Sequence, residues 1–101
     1  MTNRATHDAA DAFEKLGHLF LAGVPFLQAV KAVAGECRTA DVRRMLNHIH
    51  ERVAARQEVG DVPAEFPKLM PESARLLWKA GQRSGLDQCC LRIAAVLRMK
   101  S

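Results

Sequence analysis

The sequence predicts an all-α fold, an antiparallel bundle of about five helices without strands. Apolar residues recur at spacings of three and four along most of the chain, which places them on one face of a helix. No segment shows the alternation of apolar and polar residues that is typical of a half-buried strand, and β-branched residues are few. The chain therefore has the pattern of helices packed on helices.

The length of 101 residues is that of one domain with one core, so we expect residues 1–101 to form a single helical bundle. Residues 1–6 are expected to be a disordered leader. The polar start, with Asp8 and Asp11, does not resemble a signal peptide. No apolar run approaches the roughly 18 residues of a membrane-spanning helix, so a soluble chain is expected.

The first two predicted helices form a hairpin. The first runs from an N-cap at Thr6 to about Ala22, and the turn Gly23-Val24-Pro25 leads to a second helix ending near Cys37. Gly17 is expected to let these two helices approach closely. Their facing apolar stripes are predicted to be Phe13, Leu16, Gly17 and Phe20 on the first helix and Phe26, Leu27, Val30, Val33, Ala34 and Cys37 on the second.

Thr39 is the predicted N-cap of a third helix that extends to about Gln57, and Asp41 suits its positive end. A loop over residues 58–66 follows, because it contains Gly60 and Pro63. The buried stripe of the third helix is predicted to be Val42, Met45, Leu46, Ile49 and Val53.

Two further helices complete the prediction. Pro67 and Pro71 bracket the start of the fourth, and Gly85 ends it because glycine adopts the conformation of a helix C-terminus. Its inward face is predicted to be Leu76, Leu77, Ala80 and Ser84, and the small pair Ala80-Gly81 would let another helix cross closely. The last helix, from about Leu86 to Met99, is expected to bury Leu86, Cys89, Cys90, Ile93 and Leu97.

The net charge of +4 is concentrated near one end of the chain. Six basic residues and one acid follow position 74, whereas residues 1–35 sum to zero. Such a basic region favours an acidic protein partner, anionic lipid or nucleic acid.

Trp78 is predicted to point away from the inward face of the fourth helix, and is thus a candidate anchor for a partner. The alternative is that it packs, half buried, on a neighbouring helix or on the loop. Basic residues at a spacing of four form a stripe beside it, for which a simple solvated face is the alternative. The candidate partner-binding residues are Arg75, Trp78, Lys79, Gln82 and Arg83.

No chemical site is predicted. The cysteines are odd in number and lie on apolar stripes, which favours buried small side chains in a reducing compartment. His48 and His50 point to nearly opposite sides of a helix, so a metal site with Cys89 and Cys90 would have to form at long range. Phosphate-binding loops and nucleophile elbows are missing, so we expect no enzyme activity, no cofactor, no metal and no small-molecule substrate.

Two motifs in the chain resemble those of a known family. The hairpin matches "lxxLlxAGvPLLqAL", and Phe66-Pro67 followed by the segment from Ala80 matches "FP" and "aGExsGxLxxxLxxla". From about Phe13 to Leu97 the chain resembles the cytoplasmic domain of type II secretion system protein F, the inner-membrane platform protein related to its type IV pilus counterpart. The matching residues are Leu16, Ala22, Gly23, Pro25, Leu27, Gln28, Ala29, Val30, Phe66, Pro67, Gly81, Ser84, Gly85, Leu86, Ile93 and Leu97.

This resemblance implies a non-enzymatic interaction module at the cytoplasmic face of the inner membrane. Its implied partners are the secretion or pilus assembly ATPase and other platform proteins, with a homodimer as a further option. The chain departs from the family at Gln82, where the motif has Glu, and in residues 59–65, which are too few for the family's short helix. Family members are also longer, with two such domains and membrane spans.

Two other functions are compatible with parts of the sequence. A small basic helical protein that binds nucleic acid would account for the charge, but the 5% aromatic content and the lack of a recognition-helix turn weigh against it. A metal-dependent regulator or enzyme would need His48, His50 and the cysteines to converge.

Overall fold

The computed structural model describes the backbone of residues 4–100 and the side chains of residues 4–99. In this range it contains helices and no strand, so the predicted all-α bundle is confirmed. The helices are α1 (Arg4–Leu21), α2 (Phe26–Glu36), α3 (Ala40–Ala54), a 3₁₀ helix (Val62–Glu65), α4 (Glu72–Ser84) and α5 (Leu86–Lys100).

The core is one cluster of apolar side chains to which every α-helix contributes. Helix α1 packs along α5, α2 packs on α3, and α4 packs on α5. Helices α1 and α5 run antiparallel, because Asp11 contacts Arg98 whereas Gly17 lies against Asp87. The largest fully buried side chains are Trp78, Phe13, Leu16, Met45, Leu46, Ile49, Met70, Ile93 and Leu97.

The turn between α1 and α2 has the backbone geometry of a Schellman motif. The Val24 N–H donates to the Leu19 carbonyl oxygen and the Gly23 N–H donates to that of Phe20, each at 3.0 Å. Gly23 adopts a φ of 85°, which is why glycine occurs here. The rings of Phe20 and Phe26 stack across the turn with centroids 5.5 Å apart, so the predicted reversal is confirmed.

Gly17 packs against α5, whereas the sequence predicted that it packs against α2. A Cβ atom built on Gly17 would lie 2.7 Å from Cγ of Leu91 and 3.1 Å from the Asp87 carbonyl oxygen, both on α5. The expectation that Gly17 closes the α1–α2 hairpin is therefore wrong. Its missing side chain allows α1 and α5 to approach.

Helix α1 begins earlier than predicted. Arg4 is its first residue, so Thr6 is not an N-cap but a buried residue inside the helix. Ala5 packs against the core, and this packing favours helix formation in a segment that lacks a local start signal. The predicted leader is thus helical from residue 4, while residues 1–3 lie outside the described part of the chain.

Asp8 of α1 caps α3 from a distance of about thirty positions in sequence. Its Oδ2 accepts hydrogen bonds from the backbone N–H groups of Arg38 and Thr39, at 3.0 and 2.8 Å, and from the Thr39 hydroxyl at 2.8 Å. Thr39 is the N-cap residue, as predicted, but its side chain donates to Asp8 instead of capping the helix. A long-range carboxylate thus stabilises the N-terminus of α3.

The segment between α3 and α4 contributes to the core. Helix α3 ends at Ala54, three residues before the predicted end, and Arg56 adopts the left-handed conformation with a φ of 61°. The 3₁₀ helix has four residues, which is consistent with the prediction that residues 59–65 are too few for a longer helix. The buried residues of this segment are Val59, Val62, Pro63, Leu69 and Met70.

Candidate interaction surface on helix α4

The orientation of α4 differs from the sequence prediction. Ala74, Trp78 and Gly81 face the core, whereas Leu76 is 60% exposed and Ala80 and Ser84 are exposed as well. The prediction that Leu76, Ala80 and Ser84 face the core is therefore wrong. The helix is rotated by about 100°, one residue step, relative to the prediction.

Trp78 explains this rotation, and the prediction that it points away from the core is wrong. Its side chain is 1% exposed, its indole N–H donates to the Val59 carbonyl oxygen at 2.9 Å, and its ring meets Phe13 edge-on at 6.0 Å. The largest side chain of the helix thus occupies the core, because its burial contributes more than that of Leu76. Trp78 cannot anchor a partner on the surface. The apolar spacing of Ala74, Trp78 and Gly81 was the sequence signal for this face.

Gly81 allows α4 and α5 to pack closely against each other on the two sides of the turn at Gly85. A Cβ atom on Gly81 would lie 2.5 Å from Cβ of Cys89 and still closer to its sulfur. The Cys89 thiol donates to the Leu77 carbonyl oxygen at 2.9 Å, and Gly85 has a φ of 134°. The prediction that Gly85 ends the helix is confirmed. Of the pair Ala80-Gly81, which was predicted to permit a close crossing, only Gly81 does so, because Ala80 is exposed.

The other candidate residues differ in exposure and in their contacts. Arg75 is half-buried, and the side-chain amide of Gln82 donates to the Trp78 carbonyl oxygen at 3.2 Å. Lys79 is exposed and lies 3.5 Å from a carboxylate oxygen of Asp61. Arg83 is exposed and forms no salt bridge with any residue between 4 and 99.

Around Lys79 and Arg83 the surface forms a shallow depression of about 480 Å³. We call its lining the outer face of α4: Leu76, Lys79, Ala80, Arg83 and Ser84.

The two sequence motifs meet at one end of the bundle. Since α1 is antiparallel to α5 and Gly17 lies against Asp87, the α1–α2 turn and the α4–α5 turn are at the same end. Most motif residues in these turns have a structural role. Leu16 and Gly81 are buried, and Gly23 and Gly85 adopt positive φ angles. Ala22, Pro25 and Ser84 are exposed, and Leu27 and Leu86 are half-buried. In the segment before α4, Phe66 is half-buried and Pro67 is exposed.

The cysteines are buried, as predicted, and their environment disfavours the thiolate. Burial raises the pKa of Cys37 to about 11, and burial raises the pKa of Cys90 further. His48 lies 3.6 Å from Glu65, and nowhere between residues 4 and 100 do three His, Cys, Asp or Glu side chains converge as metal ligands. Within the same range no helix combines the length and apolar content required to cross a bilayer.

The described residues define a helical-bundle domain with an exposed basic helix face. A family model described as "Type II secretion system (T2SS), protein F" matches residues 12–101. The chain belongs to this family, whose members are non-enzymatic membrane platform components, and the family supports a role like that of secretion or pilus platform protein F. A search of curated proteins found no match. No comparison supports the nucleic-acid alternative.

Proposed function

We propose that this chain is a non-enzymatic interaction module of the inner-membrane platform of a type II secretion or type IV pilus system. In this role, residues 1–101 act as one unit at the cytoplasmic face of the inner membrane. The unit contacts the assembly ATPase and other platform proteins. The observation that carries the proposal is the family match over residues 12–101.

The outer face of α4 is the surface we propose for this contact. It combines exposed cations on a helix whose opposite side is fixed in the core through Trp78. Among the described residues Lys79 forms one salt bridge, to Asp61, and both side chains are largely exposed, so a partner carboxylate can compete for Lys79 at little cost. Cations on a rigid helix favour fast and specific association with an acidic surface.

A binding measurement between the purified chain and the assembly ATPase of the same system tests the proposal. Titration calorimetry at about 0.15 M salt is expected to give a saturable complex, weakened at least tenfold by Arg83→Glu. Arg92→Glu is the matched control, because Arg92 is an exposed cation on α5 that also forms no salt bridge among the described residues. It is expected to change the affinity less than twofold. Lack of binding by the unmodified chain, or equal effects of the two variants, would contradict the proposal.

A further inference from the structure

We propose that the outer face of α4 receives an acidic amphipathic helix of a partner protein. An apolar side chain of that helix would cover Leu76, and its carboxylates would meet Lys79 and Arg83. This names the chemistry of the partner and therefore rests on the function proposed above.

The shape of the outer face fits a helix. Lys79 and Ala80 lie three and four positions after Leu76, and Arg83 lies four and three positions after them, so the four residues share one side of α4. Leu76 is the one large apolar side chain among these four, and it is 60% exposed. Ala80 and Ser84 are small, which leaves the shallow depression into which the side chains of a second helix can pack.

The charge of this surface selects an acidic partner. Arg83 forms no salt bridge with the described side chains, and Lys79 has only the exposed contact with Asp61. Glu72, in the first turn, is the sole acidic residue of α4. A partner helix with carboxylates four residues apart would place one near Lys79 and another near Arg83.

Two other occupants fit less well. A second copy docked through the same face in a two-fold arrangement would place its own Lys79 and Arg83 near those of the first copy, which is repulsive. A lipid surface requires a broad face of large apolar side chains. In α4 the largest such side chain, Trp78, is in the core, and Leu76 is the only large apolar residue outside.

A peptide titration followed by amide chemical shifts tests this inference. The probe is an alanine-based helical peptide with two leucines four residues apart, flanked by glutamates. We expect saturable shifts centred on residues 72–84. Arg83→Glu is expected to raise the Kd at least tenfold and Leu76→Ala at least threefold.

Matched controls distinguish binding at this site from nonspecific binding. Leu21 is an exposed leucine on α1, 50% accessible, so Leu21→Ala should leave the Kd unchanged, as should Arg92→Glu. A peptide in which lysines replace the glutamates should not bind. Shifts centred on another helix, equal binding of the lysine peptide, or no saturable binding would overturn the inference.

Further outcomes identify the other occupants. Sedimentation of the chain alone that shows a dimer abolished by Leu76→Ala would assign the face to a second copy. Arg83-dependent binding to vesicles containing phosphatidylglycerol, without peptide binding, would assign it to lipid. Either result overturns the acidic helix. If the ATPase binds but the peptide does not, the proposed function stands and only the identity of the occupant is wrong.

Discussion

The indole nitrogen of Trp78 lies 2.9 Å from the carbonyl oxygen of Val59, and this hydrogen bond ties α4 to the segment that follows α3. Both residues are buried. Breaking this hydrogen bond would therefore leave the indole N–H and the carbonyl oxygen without a partner where solvent does not reach. The bond therefore fixes the rotation of α4 and leaves Leu76, Lys79 and Arg83 on the outside.

Replacement of Trp78 is expected to destabilise the fold. Trp78→Ala should lower the free energy of unfolding by about 3–5 kcal/mol, because it leaves a cavity beside Phe13. Trp78→Phe should cost less, since it loses the hydrogen bond but retains an aromatic ring. Urea unfolding followed by circular dichroism measures both. As the control, Leu76→Ala on the exposed face should change stability by no more than about 0.5 kcal/mol. A Trp78→Ala variant as stable as this control would contradict the assigned core position.

Two glycines should respond to alanine in opposite directions. Gly81→Ala places a Cβ atom within 2.5 Å of Cβ of Cys89, so α4 and α5 must separate, and we expect a loss of about 1–3 kcal/mol. Gly35 lies inside α2 with open space around it. Gly35→Ala is expected to stabilise the protein by up to about 1 kcal/mol, because alanine favours the helix. Thermal unfolding of the two variants checks the difference, and a stabilising Gly81→Ala would show that the helices do not cross there.

Asp8 should make stability depend on acid pH. Burial raises its pKa, but the hydrogen bonds from Thr39 and Arg38 outweigh this effect, so the pKa of Asp8 is lowered from its ordinary value of 3.8. Its contribution is therefore present above about pH 3.8 and is lost as the pH falls through the lower pKa of the folded state.

The test compares Asp8→Asn with the unmodified chain by urea unfolding between pH 7 and pH 2. The variant should be less stable at pH 7 by about 1–3 kcal/mol, and its stability should fall less steeply in acid. The hydrogen bond from Arg38 also lowers the pKa of Asp11, so Asp8→Asn/Asp11→Asn should be flatter still. Parallel pH profiles of all three proteins would contradict the cap.

The thiols are expected to react only when the structure opens. Cys37, Cys89 and Cys90 are buried, and burial raises the pKa of each thiol, so few thiolates form near neutral pH. A disulfide reagent such as dithionitrobenzoate should label the native protein slowly and all three thiols rapidly in urea. Rapid labelling of one thiol in the native state would show that its helix is locally open.

The apolar stripes of α2, α3 and α5 were readable from the sequence because each has one clear apolar face. Val33, Ile49 and Ile93 are buried as their spacing predicts. Helix α4 was ambiguous, since Leu76 and Leu77 mark one face and Leu77 and Trp78 mark another. The basic residues of the candidate surface were correctly predicted as exposed at Lys79 and Arg83, whereas Trp78 was assigned to the wrong side.

The sequence by itself determined the number of helices, the turns at Gly23 and Gly85, and the family, because periodicity and turn chemistry act over neighbouring residues. Only the tertiary structure decided that Gly17 packs on α5, that Asp8 caps α3, and that Trp78 faces the core. Each of these contacts joins residues far apart in the chain. They are selected by which helices fill the common volume, and local patterns do not contain that information.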